Sequence, residues 1–209
     1  MRSDVHKPAT FTQSARRAQI VVSAIEVIAE VGWAQMSIRK IADHVGVAMS
    51  AVLYHFGTKD NLVEAIIEEM YRTALSVVVP AIASESTATG KLTAYIRSSI
   101  AYFDTHRSQL AALAQLGTGY QPGNGRRFDE LGLTPELREE LAALDPSAIL
   151  TVGQQENEFG DFPVASMALA LRGAVNAVVE KILREPDFDA GAYGEDLVAL
   201  FTGAVAVTQ

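Results

Sequence analysis

The sequence predicts an all-α protein, with an N-terminal three-helix domain holding a helix-turn-helix and a larger helical domain after it. Three observations carry this. Apolar residues recur at three- and four-residue spacing along most of the chain. No stretch alternates as a strand does, and no hairpin dipeptide occurs. Charge is also unevenly divided, within a net charge of −8 over 209 residues. Residues 1–60 hold seven Lys/Arg against five Asp/Glu, whereas 61–209 hold ten against twenty. A slightly basic front and a strongly acidic remainder point to a nucleic-acid end and an end that does not meet nucleic acid.

Residues 1–13 are polar and read as disordered. A first helix is predicted over Ser14–Val31, where Ile20, Val21, Ala24, Ile25, Val27 and Ile28 form a broad stripe and Gly32 ends the run. Arg16 and Arg17 fall in its first turn, either as solvated arginines or as phosphate contacts. Ser37 then caps a short helix whose buried side is Ile38, Ile41, Ala42 and Val45. Gly46 closes it, Val47 plugs the turn, and a second short helix runs over Ala48–Phe56. Helix, glycine turn and helix with a shared apolar side is the helix-turn-helix pattern, whose second helix enters the DNA major groove.

Thr58 caps the next helix, which buries Leu62, Ile66, Ile67, Met70, Ala74 and Leu75 and is expected to stop at Val79 before Pro80. After a Ser/Thr/Gly loop (84–90), helices are expected at Lys91–Thr105 and Ser108–Leu116, and Gly117–Gly132 reads as a loop. Pro135–Leu144 and Pro146–Asn157 each begin with proline behind a cap, Thr134 and Asp145. Pro163–Arg184 and Ala190–Val207 complete the chain. These two carry small residues (Ala165, Ala168, Ala170, Gly173, Ala174 and Ala177; Gly203, Ala204 and Ala206). They suit either a tight pair within the chain or a close interface between chains.

Several functions have no support. Without cysteine there is no disulfide and no thiolate metal site, which suits a reducing cytoplasm. The N-terminus lacks the apolar core of a signal peptide, and Pro163–Val179, interrupted by Arg172 and Asn176, falls short of a membrane span. His6, His44, His55 and His106 are scattered without metal-ligand spacing, and no phosphate loop or nucleophile elbow occurs. Glu156, Glu158 and Asp161 read as a solvated loop. No metal, cofactor or catalytic site is therefore expected, and the chain is not read as an enzyme.

From Gly32 to Leu62 the sequence resembles the DNA-binding domain of the tetracycline-repressor (TetR) family of bacterial regulators. The likeness rests on Gly32-Trp33, Ser37-Ile38-Arg39, Ile41-Ala42, Val45-Gly46-Val47, Tyr54-His55-Phe56, Thr58-Lys59 and Leu62. Leu53 and Ala51 depart from it, standing where many members carry tyrosine and threonine. The resemblance implies a DNA-binding domain at 1–57 and a ligand-binding and dimerisation domain at 58–209. It nominates Arg16, Arg17, Ser37, Arg39, Ala48, Met49, Ser50, Tyr54, His55 and Lys59 for DNA, with Lys59 on a phosphate.

It further implies an effector pocket, for which the large apolar and aromatic candidates are Met70, Tyr71, Tyr95, Tyr102, Phe103, Leu113, Tyr120 and Met167. His106, Gln115 and Asn176 are its candidate polar contacts. A four-helix interface between two copies is implied, on Ala170, Gly173, Ala174, Ala177, Phe201 and Gly203. The implied function is a homodimeric, ligand-responsive transcriptional regulator in the cytoplasm, most simply a repressor. It would bind a palindromic operator in double-stranded DNA and be released by a small apolar or aromatic effector. The rival is a helical small-molecule-binding protein or enzyme that retains the corner without using it on DNA.

Overall fold

The computed structural model of the chain describes residues 11–122 and 131–207. His6, most of the 1–13 stretch, and 123–130 of the irregular segment lie outside these residues. The described elements are helical throughout: α1 (Phe11–Val31), a 3-10 turn (Trp33–Gln35), α2 (Ile38–Val45), α3 (Met49–Phe56), α4 (Lys59–Ala83) and α5 (Ala88–Thr105). They continue with α6 (Arg107–Gly119), α7 (Pro135–Leu141), a second 3-10 turn (Ala142–Leu144), α8 (Ser147–Gln155), α9 (Val164–Arg184) and α10 (Ala190–Val205). Among the described residues no helix is long and apolar enough to cross a membrane.

The chain packs as two units, 1–69 with 112–132 and 70–111 with 133–209. In the first, the α1 stripe Ile20, Val21, Ala24, Ile25, Val27 and Ile28 is buried as its spacing predicts. Each of its Ile and Val side chains contributes about 1.5–3 kcal/mol when fully removed from water. α1 packs on α2 and α2 on α3, with Ile41, Ala42, Val52 and Phe56 buried. In the second unit α5 packs against α8, α9 and α10. Leu92, Ile96 and Ile100 meet Leu150, Leu171, Val175, Val178 and Leu197 in its core.

The predicted caps are in place. Backbone amides donate to the side chains of Thr58, Thr134 and Asp145, as they do to Thr87 and Asp189 before α5 and α10. Glu158, read from sequence as solvated loop, instead seats its carboxylate on the first turn of α5. Its oxygens accept from the amides of Ala88 (2.9 Å) and Thr89 (3.0 Å). An anion there meets unpaired N–H groups and the positive end of the helix dipole.

Two helices run past their expected C-terminal ends. α4 does not stop at Val79 but continues through Pro80 to Ala83. Pro80 lies in the last turn and on the exposed side, so the carbonyl it leaves unpaired, that of exposed Ser76, faces water. α6 likewise runs on through Gly117 to Gly119 instead of ending at Leu116. Gly119 serves close packing, since a Cβ there would lie 3.0 Å from the Trp33 ring.

Candidate nucleic-acid interface

The helix-turn-helix is held by specific backbone geometry. The Ser37 hydroxyl accepts from the Lys40 amide at 3.2 Å, satisfying one of the orphan donors of α2. Gly46 takes the left-handed conformation at φ 74, ψ 38. Its amide donates to Asp43 O, and the Val47 amide donates to Ala42 O at 2.9 Å. This double closure is the Schellman motif, and it fixes the direction in which the chain leaves α2. Ala48 is the extended N-cap of α3, and the Gly57 amide closes that helix on Leu53 O at 2.7 Å.

α3 divides cleanly. Val52 and Phe56 are buried, while Met49 (48% exposed), Leu53 (41%) and Tyr54 (73%) face outward with Ser50 and Ala48. α1 reaches this face. Gln13 Nε2 donates to the Tyr54 hydroxyl at 3.5 Å, and the Arg17 guanidinium lies 5.1 Å from the centre of the Phe56 ring. Arg16 is exposed one residue earlier and hydrogen-bonds Gln19. Exposed Arg39 approaches Asp43 at 4.0 Å, a loose pair of little energetic weight. His55 is half-buried, its ring edge-on to Tyr54 and tilted against Phe56.

Lys59 is the exception to this outward pattern. Its ammonium sits 3.7 Å from the centre of the Trp33 ring, a cation–π contact. Burial lowers its pKa below the ordinary lysine value, against the opposing pull of the Asp60 carboxylate. A phosphate contact from Lys59 would be made alongside, or in place of, this contact with the indole. Trp33 is itself edge-on to Tyr120, with centroids 5.1 Å apart, and the Tyr120 hydroxyl donates to Asp60 at 2.8 Å. Neither the ring pair nor this hydrogen bond is readable from sequence, because the partners lie 87 and 60 positions apart.

The effector candidates do not all fall together. Leu113, Gln115 and Tyr120 lie in the first unit, and Met70, Tyr71, Tyr95, Tyr102, Phe103, His106, Met167 and Asn176 in the second. Tyr95 belongs to the core of the second unit, and Phe103 and Met167 pack against it. The buried Tyr102 hydroxyl lies 2.9 Å from Gln109 Oε1 and 3.1 Å from Met70 O, and its ring meets His106 at 4.7 Å. Burial pushes the phenols of Tyr95 and Tyr102 up to about 12. Asn176 is exposed on α9. A separate open cleft of about 370 Å³ lies at the α9 C-terminus between Ala177, Glu180, Lys181, Arg184, Glu185 and Tyr193, and uses none of the candidates.

Of the interface candidates, Ala170, Gly173, Ala177 and Gly203 are exposed, whereas Ala174 and Phe201 pack partly against the core. A Cβ on Gly173 or Gly203 would meet nothing within 4 Å. Close pairing inside the chain is thus not why these positions are small. Leu169 (65% exposed) and Leu200 (66%) stand on the same faces and were missed by attending to small residues alone.

Residues 20–66 match the family model described as bacterial regulatory proteins, tetR family. The HTH-type transcriptional regulator BetI 2 of Chromohalobacter salexigens is 35% identical over 74 residues, 35% of each chain. The chain thus spans about a third of the length of the curated relatives it matches. Among solved structures, a TetR transcription regulator from Haloarcula marismortui superposes with TM-score 0.75 at 18% identity, covering 92% of this chain and 99% of that one. The transcriptional regulator FadR from Bacillus subtilis, in complex with stearoyl-CoA, gives 0.69 at 22%, covering 90% and 98%. In residues and in backbone geometry alike, the helix-turn-helix segment of this chain is similar to that of the tetR family of bacterial regulatory proteins.

Proposed function

We propose that the chain is a cytoplasmic transcriptional regulator that binds palindromic duplex DNA as a homodimer and is released by a small apolar or aromatic effector. The observation that carries this is the outward face of α3, left uncovered beside the exposed cations Arg16, Arg17, Arg39 and Lys40. DNA binding falls to residues 1–57, with 58–69 and 112–132 packed into the same unit. Effector binding and dimerisation fall to the remainder of 58–209. Support for the dimer comes from the uncovered small and apolar residues of α9 and α10: Leu169, Ala170, Gly173 and Ala177 with Leu200 and Gly203. Twofold symmetry is what a palindromic operator requires.

The aromatic side chains of the second unit, centred on Tyr102, are the proposed effector contacts. That the FadR neighbour is in complex with stearoyl-CoA is consistent with an apolar effector on this fold. Release would be a population shift, worth only the effector's preference between the two conformations, about 1–3 kcal/mol of coupling. A gel shift on the DNA flanking the chain's own gene, against unrelated duplex competitor, tests the reading. Retardation that resists competitor supports it. Retardation abolished equally by any duplex refutes operator recognition.

A further inference from the structure

The outward face of α3 has no side chain suited to bidentate base recognition. Residues 48–56 contain no Arg, Lys, Asn, Gln, Asp or Glu. The pairings that read guanine or adenine by two hydrogen bonds, and the carboxylate that accepts from the cytosine amino group, all need one of those six. What the helix presents instead is Met49 and Leu53, four positions apart and hence neighbours on one face, each more than 40% exposed. Beside them stand Ser50, Ala48 and Tyr54, and the Tyr54 hydroxyl already accepts from Gln13. The exposed cations lie outside this helix: Arg16 and Arg17 on α1, Arg39 and Lys40 on α2. Phosphate contacts from such positions would fix register and carry no sequence information directly.

An apolar side chain has one specific partner among base edges in the major groove, the 5-methyl group of thymine. We infer that Met49 and Leu53 read thymine methyl groups, so that each half-site is specified chiefly by where its A·T pairs present methyls. Ser50 and Tyr54 add single hydrogen bonds. The inference rests on the reading of α3 as the helix that enters the major groove.

Replacing thymine by uracil removes the methyl and leaves every hydrogen-bonding group of the pair in place. Duplexes would first be selected by the full chain from a random library. The best of them would then be remade with deoxyuridine at one half-site thymine at a time. At the thymines under α3, affinity should fall on the order of fourfold per methyl, the effect of withdrawing about one buried methyl group. Met49→Ala and Leu53→Ala proteins should each lose the distinction between thymine and uracil at one position. Equal binding of every uracil duplex by the wild type overturns the inference while leaving the regulator reading intact. Failure to enrich any duplex removes that reading, and the inference with it.

Discussion

Single side chains here carry two obligations at once, and Lys59 shows it most clearly. Its ammonium rests on Trp33, whose own ring is held by Tyr120, so the residue nominated for phosphate also closes an aromatic cluster. Lys59→Ala should lower the salt slope of DNA binding by about one, the loss of one phosphate contact, whatever the sequence bound. It should also cost about 0.5–1 kcal/mol of stability through the lost cation–π contact. Salt titrations of binding beside urea unfolding measure the two separately, and an unchanged slope would confine Lys59 to packing. Tyr102 makes the complementary case. Truncating it to alanine should leave DNA affinity alone and weaken release by an aromatic effector, within the roughly 5–150-fold range of typical couplings. Loss of DNA binding instead would show that Tyr102 holds the fold.

At the scale of the helix, end chemistry decides where elements begin and stop. The Glu158 carboxylate accepts from the Thr89 and Ala88 amides, and these bonds hold its pKa below the ordinary carboxylate value. A carboxylate with a depressed folded pKa contributes stability above its unfolded pKa and loses it as pH falls through the folded one. Glu158→Gln should therefore lower stability at neutral pH, and the difference from wild type should vanish in acid below the usual carboxylate range. Unfolding curves at neutral and acid pH test this, and a difference that persists in acid would contradict it. Pro80→Ala should stabilise α4 by less than about 2 kcal/mol, because the interior penalty of about 3 is reduced where the freed carbonyl faces water and about 1 is offset by the looser unfolded chain. Thermal unfolding measures this directly.

These ends also show what could be read beforehand. Ser37, Gly46, Thr58, Thr134 and the α1 stripe follow local rules of capping and period, so sequence sufficed for them. Pro80 and Gly119 could not be read locally because their outcome is set by surroundings: a solvent-facing carbonyl in one case, Trp33 in the other. The candidate pocket divided for the same reason. Tyr120 pairs with Asp60 and Trp33, a long-range choice that no local pattern encodes.

At the scale of the whole molecule, the uncovered faces of α9 and α10 and the uncovered face of α3 call for different partners, a second copy and DNA. Gly173→Arg should abolish self-association, because an arginine buried between two copies without a partner is strongly unfavourable, while in the single chain a side chain there meets open space. Sedimentation should find the wild type dimeric at micromolar concentration and the variant monomeric and folded. Selecting duplexes from a random library with the full chain, and reading the survivors for symmetry, tests whether the protein binds DNA as a dimer. A dimeric regulator enriches inverted repeats whose half-site centres lie about one helical turn apart, roughly 34–36 Å, or a multiple of it. Enrichment of asymmetric single sites, or of nothing above the starting library, would contradict it.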